Sequence, residues 1–197
     1  MTPRDRGDEP PPDCLRHVVS APPFALLRSA IGGLERAGIT VTLGGSGLLA
    51  ALGLADRVRD WDLTTDAPAE AVTAALSGDP SMLPGTLSGN DALHADHKLA
   101  FADGALEVIL GFAFFTPAGV VRIPARVSER RDGLPLASPE GWAVAYHLLG
   151  RGEKSRTLFQ YLESRGAEPR VVAELLAQPL PPDVAARLAA LPTSSVT

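Results

Sequence analysis

Apolar residues recur every three or four positions in "PPFALLRSAIGGLERAGI", Pro22 to Ile39. That spacing predicts an amphipathic helix that begins after the prolines and stops near Gly38. The period then changes. "ITVTL", Ile39 to Leu43, is β-branched and apolar, which suits a buried strand. "GGSG" interrupts it and "LLAALGL" continues as a helical apolar run, so a strand, a glycine turn and a short helix follow one another. "DWDLTTD" alternates as a second strand, and "APAEAVTAALSG" sets Pro68 near a helix start and Gly78 at its end.

Ser81 to Asn90, rich in Gly, Pro and Ser, reads as a connection. "ALHADHKLAF" and "LEVILGFAFF" read as two strands joined at "ADG" in a tight hairpin. "VVRIPARV" is a further strand that Pro124 would confine to an edge or a bulge. From Pro139 onward the pattern is helical, with helices expected over Pro139–Gly150, Lys154–Arg165, Pro169–Ala177 and Pro182–Leu191. The fold class is therefore α/β (α+β), a mixed sheet flanked by helices and followed by a C-terminal helical bundle. The expected divisions are a disordered, Pro-rich leader at 1–13, a core at 14–135, a helical region at 136–192 and a frayed tail at 193–197.

Composition narrows this picture a little. Hydrophobic residues make up 45% of the 197 and charged residues 21%, a globular rather than a disordered balance. A net charge of −5 argues against coating nucleic acid through the overall field. Lys98 and Lys154 are the only lysines, so cationic work falls to arginine. The single cysteine, Cys14, excludes an intramolecular disulfide and a cysteine zinc cluster. No apolar run reaches the roughly 18 residues of a membrane span, and no signal-like leader is visible. A reducing cytoplasm without membrane contact is the expected address.

The candidate chemistry lies in three stretches. Side chains i and i+2 of a strand share a face, so Asp60 and Asp62 point the same way while Trp61 and Leu63 turn to the core. Two carboxylates that close repel unless a cation offsets them, and a hard divalent ion suits their oxygens. The simpler alternative is a half-exposed strand with its aspartates in water. Upstream, Gly44 and Gly45 would let the backbone approach a ligand, and Ser46 adds a hydroxyl at an expected helix N-cap. Such a turn serves either as a linker or as a phosphate cradle. Downstream, Glu107 is the only charge in an apolar strand and needs a partner, either Arg122 or Arg126 or a cation shared with the two aspartates.

Taken together, "VTLGGSGLLAALGL", "RVRDWDLTTDAP" and "LEVIL" resemble the nucleotidyltransferase superfamily, the DNA polymerase-β-like fold. "DWDLTTDAPAEAV" is similar to the head domain of CCA-adding enzymes and bacterial poly(A) polymerases. "SPEGWAVAYHLLGRGEKSR" is similar to the helical tail of stand-alone nucleotidyltransferases of abortive-infection and toxin–antitoxin systems. The resemblance implies that Asp60, Asp62 and Glu107 bind catalytic Mg²⁺ or Mn²⁺, with Glu107 also aligning or deprotonating an acceptor hydroxyl. It implies that Gly44, Gly45 and Ser46 hold the triphosphate of a nucleoside triphosphate such as ATP. The acceptor would be RNA, a protein or a small molecule. A catalytically silent relative that binds nucleotide or a partner, in a toxin–antitoxin pair for example, is the alternative.

Several residues are open to two readings. Lys98 shares a strand face with His94 and Asp96 and could touch a phosphate. Arg57 and Arg59 flank the aspartate strand, with Arg59 expected to point away into solvent. Trp142, Tyr146 and Leu149 fall at helical spacing and read as core packing. Arg151, Lys154 and Arg156 read as a solvated basic turn, with nucleic-acid or triphosphate contact as the other option.

Overall fold

A short strand buried on one side organises the chain around itself. Trp61–Thr65 (here β2) has Trp61 and Leu63 fully buried, and it lies between two neighbours of different kinds. The computed structural model describes residues 10–78, 84–87 and 97–193. Within them one seven-stranded mixed sheet runs from an edge strand at Pro84–Leu87 to another at Val127–Arg131. In chain order its strands are β1 (Thr42–Leu43), β2, β3 (Pro84–Leu87), β4 (His97–Phe101), β5 (Leu106–Leu110), β8 (Val127–Arg131) and β9 (Leu134–Ala137). A separate two-stranded sheet holds β6 (Ala113–Thr116) and β7 (Gly119–Arg122). The spatial order of the large sheet is β3-β4-β5-β2-β1-β9-β8. β2 pairs parallel with β5 and antiparallel with β1, while β1 pairs parallel with β9.

The helices lie where the apolar spacing puts them. α1 spans Phe24–Arg36, α2 Gly45–Ala51 and α3 Ala69–Leu76. The C-terminal region holds α4 (Pro139–Leu148), α5 (Gly152–Arg165), α6 (Pro169–Leu176) and α7 (Pro182–Ala189). Proline in the first turn of α4, α6 and α7 presets the backbone without removing a bonded N–H. α1 presents Leu27, Ala30, Ile31 and Leu34 to the core, as its periodicity requires. Asp13–Leu15 forms a 3-10 turn with Leu15 fully buried, and residues 1–9 lie outside the described part. Residues 194–197 lie outside it too, while Thr193 bridges to Ala167.

Four local readings change. The stretch at Ile39–Leu43 keeps only Thr42 and Leu43 in the ladder; at Thr40 the carbonyl accepts instead from Thr65 Oγ1, 2.7 Å away. "LEVILGFAFF" breaks at Gly111, whose φ of +59° turns the backbone out of the sheet and starts the second one. Part of the expected connection at Ser81–Asn90 is the edge strand β3, where Pro84 begins the strand and a missing N–H is tolerable. The fourth change is at "VVRIPARV", which is not one strand: β7 ends at Arg122 and β8 begins at Val127, on either side of Pro124. Asp132 (φ +48°) and Gly133 (φ +82°) make a two-residue left-handed turn, of the kind that joins antiparallel strands. It returns "LPLA" into the sheet beside β1, all four residues buried.

β9 passes directly into α4, and that junction is built around a buried carboxylate. Ser138 caps the helix, its hydroxyl accepting from Gly141 N at 3.0 Å and donating to Glu140 Oε2 at 2.6 Å. Glu140, only 4% exposed, accepts a second bond from Glu168 N at 2.9 Å, tying α4 to the start of α6. Glu140→Ala would strand both donors, at about 1–3 kcal/mol. The expected outcome is a thermal midpoint lowered by roughly 2–10 °C in circular-dichroism melts, with a smaller drop for Glu140→Gln.

Candidate active site

The strand begins at Trp61, so Asp60 sits in the bend before it rather than in the ladder. Asp60 and Asp62 both line an open cavity of about 740 Å³, and Trp61 and Leu63 face the core. The glycine turn lies against them. Gly44 N donates to Asp62 O at 2.8 Å, and Ser46 Oγ lies 3.5 Å from Asp60 O. A β-carbon on Gly45 would fall 1.8 Å from Asp62 Oδ2, and Gly45 holds φ at +54°. A β-carbon on Gly44 would fall 2.0 Å from Trp142 Cζ2. Each glycine is thus demanded by a neighbour: Gly45 by the carboxylate, Gly44 by the indole. Ser46 is inside the first turn of α2 rather than at its cap, because Gly44 takes the N-cap position.

Glu107 stands directly opposite Asp62 in the parallel register of β2 and β5, so the two carboxylates share a sheet face. Its partner is neither Arg122 nor Arg126. Lys98, on the neighbouring β4, forms an ion pair with it. Arg126 pairs with Glu174 at 2.8 Å, and Arg122 meets Gln178 through its backbone N–H. Lys98, expected at a phosphate, is thus held by a carboxylate, and neither Lys98 nor Glu107 is among the residues lining the cavity. His94 and Asp96 lie outside the described residues.

Arg59 departs from its expected direction. Residues 59 and 60 form a bend before the strand, so alternation does not extend to Arg59. Its guanidinium donates twice to Asp60 Oδ2, at 3.1 and 2.7 Å, while the side chain stays 82% exposed. Further cations line the same cavity. Arg151 and Lys154, at the α4–α5 junction, line it, whereas Arg156 is exposed and does not. Arg151 is exposed, as a solvated turn requires, and Lys154 is half-buried, but both also line the cavity. No local signal in "GRGEKSR" gives this placement, which depends on Trp142 docking α4 against Gly44.

Burial pushes the Asp62 carboxyl up to about 7, aided by the charges of Asp60 and Glu107 and opposed by Lys98 and Arg151. Burial and the neighbouring Arg151 lower the Lys154 ammonium. Among the described residues no three His, Cys, Asp or Glu side chains gather into a ready metal-holding group. The adjacent oxygen donors are Asp60 and Asp62. Their crowded carboxylates are of the type a hard divalent cation accepts.

No protein-family model and no curated protein matches the chain. Solved structures similar to it include a candidate nucleotidyltransferase of Thermotoga maritima, 24% identical, covering 72% of this chain and 93% of that one with a TM-score of 0.48. The antibiotic-resistance factor ANT(2'')-Ia, in its solution structure, is 18% identical over 77% of this chain and 88% of its own, with a TM-score of 0.48. Its crystal complex with adenylyl-2''-tobramycin gives 16% identity, 77% and 94% coverage and a TM-score of 0.48.

The raised carboxyl of Asp62 has a consequence for stability. Between the ordinary carboxylate value and about 7, the folded chain keeps a proton that the unfolded chain has released. Unfolding therefore becomes easier as pH rises through that window. Asp62→Asn removes the effect. Without added metal, the variant should melt a few degrees (about 2–6 °C) above the parent at pH 8. At pH 4 the two should melt together in calorimetry.

Proposed function

We propose that this chain is an enzyme that moves a nucleoside monophosphate from a nucleoside triphosphate to a hydroxyl acceptor, releasing pyrophosphate. One observation carries the reading. Asp60 and Asp62 line one cavity together with Ser46 of the glycine turn and with Arg151 and Lys154. Paired carboxylates and paired cations in one cavity suit a metal-bound polyphosphate. Asp60 and Asp62 would hold Mg²⁺ or Mn²⁺. When bound, the ion supplies Lewis-acid stabilisation of the charge on the phosphoryl oxygens.

The chain's own residues do the rest. Gly44 N–H is already engaged with Asp62 O, so phosphate contact from the turn falls to Gly45 and Ser46. Arg151 and Lys154 draw the β- and γ-phosphates to their side of the cavity and steady pyrophosphate as it leaves. The acceptor oxygen forms its bond to the α-phosphorus as the bond from that phosphorus to the bridging oxygen breaks, and the bridging oxygen leaves with pyrophosphate. Glu107, on the same sheet face as Asp62, orients the acceptor hydroxyl and takes its proton once Lys98 yields.

A second reading, nucleotide binding without transfer, is favoured by one feature. Arg59 occupies Asp60 and Lys98 occupies Glu107, so two of the three carboxylates are satisfied internally. Labelled nucleoside triphosphates, Mg²⁺ and a mixture of tRNA, cell proteins and small hydroxyl compounds separate the two. The expected result is label transfer that falls at least about a hundredfold in Asp62→Asn. Binding without transfer to any acceptor would favour the second reading, and no nucleotide binding at all would overturn both.

A further inference from the structure

Tyr146 carries more than its place in the core requires. Its ring is fully buried near the end of α4, edge-on to Trp142 at 5.3 Å, and Trp142 in turn packs on Phe112 at 5.1 Å. Beyond the helix the chain reverses at Gly150 (φ +69°), and Arg151 N donates back to Tyr146 O at 2.8 Å. That reversal lays two cations over one ring. Lys154 Nζ is 5.3 Å and Arg151 Cζ 6.0 Å from the Tyr146 centroid.

Neither cation has a carboxylate at ion-pair distance among the described residues, although both line the cavity with Asp60 and Asp62. Two like charges above one ring repel each other. The negative face of the ring offsets part of that repulsion, and an anion between them would offset the rest. We infer that Tyr146 is a positioning residue, its ring the platform that holds Lys154 and Arg151 where a polyphosphate binds. This rests on the nucleotide-binding reading above. The platform is rigid because Trp142 and Phe112 fix the ring, so the cations stand in place before the ligand arrives.

The hydroxyl of Tyr146 chooses the control. It is buried with no hydrogen-bond partner among the described residues, so Tyr146→Phe deletes only an unsatisfied group and keeps the ring. Tyr146→Leu and Tyr146→Met remove the π face, and Met retains most of the bulk. The test measures binding of inorganic tripolyphosphate and of ATP with Mg²⁺ by calorimetry, alongside thermal melts and steady-state kinetics. Tyr146→Phe should bind within about twofold of the parent, whereas Leu and Met should bind both ligands roughly three- to thirtyfold more weakly. In kinetics the loss should fall on KM rather than kcat. In an Arg151→Gln, Lys154→Gln background the Leu and Met substitutions should have no further effect on affinity.

Folded Leu or Met variants that bind like the parent would overturn the inference, as would an undiminished loss in the double-Gln background. A parent that binds polyphosphate with this dependence on Tyr146 but transfers no label would sustain the inference and defeat the transfer reading. Transfer that is indifferent to the ring would do the reverse. A parent that binds neither ATP nor tripolyphosphate would overturn both.

Discussion

The absence of two β-carbons, at Gly44 and Gly45, is the constraint on which the rest of the structure depends. At the first position the space belongs to the indole of Trp142, and at the second to the carboxylate of Asp62. The turn between β1 and α2 is thus pinched between the helical region and the acidic strand. The same close approach that fixes Asp62 also sets α4 in place. Once α4 is in place, Tyr146, Arg151 and Lys154 reach the cavity. A methyl group at Gly44 would displace Trp142, and one at Gly45 would displace the Asp62 carboxylate.

The electrostatics follow from this compression. Asp62 is buried against the glycine turn with Asp60 and Glu107 as neighbours, and its carboxyl keeps its proton to a higher pH than an ordinary aspartate. The chain relieves the crowding only at the margins, with Arg59 on Asp60 and Lys98 on Glu107. Asp62 itself receives no ion pair among the described residues. Asp62 is therefore the least compensated carboxylate of the cavity, and Arg151 and Lys154 line the same cavity without a carboxylate at ion-pair distance among the described residues. A ligand that brings both a cation and an anion matches that arrangement better than either would alone.

Much of the fold and the acidic strand was legible in the sequence, for physical reasons. Long amphipathic helices with proline starts declare themselves by period, and all four C-terminal helices lie within a few residues of their expected limits. Asp62 was legible because alternation in a strand is local, although Asp60 lies just outside the ladder. What escaped was set by long-range packing. β9, four residues with a proline, has too little pattern to announce a central strand, yet it is held between β1 and β8. The cap was misplaced by two residues, at Ser46 instead of Gly44, where the chain meets Trp142. Arg59, Arg151 and Lys154 carry no local sign of their partners. Tyr146 looked like packing, and it is packed, but its other role depends on a reversal several residues later.

The passage from β9 into α4 has a mechanical meaning. β9 pairs with β1 at Leu136 and Leu43, and α4 begins two residues after β9 ends. β1 leads straight into the turn beside Asp62. Both sides of the cavity are therefore braced by adjacent strands of one sheet, with no interdomain linker between them. The separation between Asp62 and the start of α5 is thus set by strand register, so a slip of β9 along β1 would shift one side of the cavity past the other.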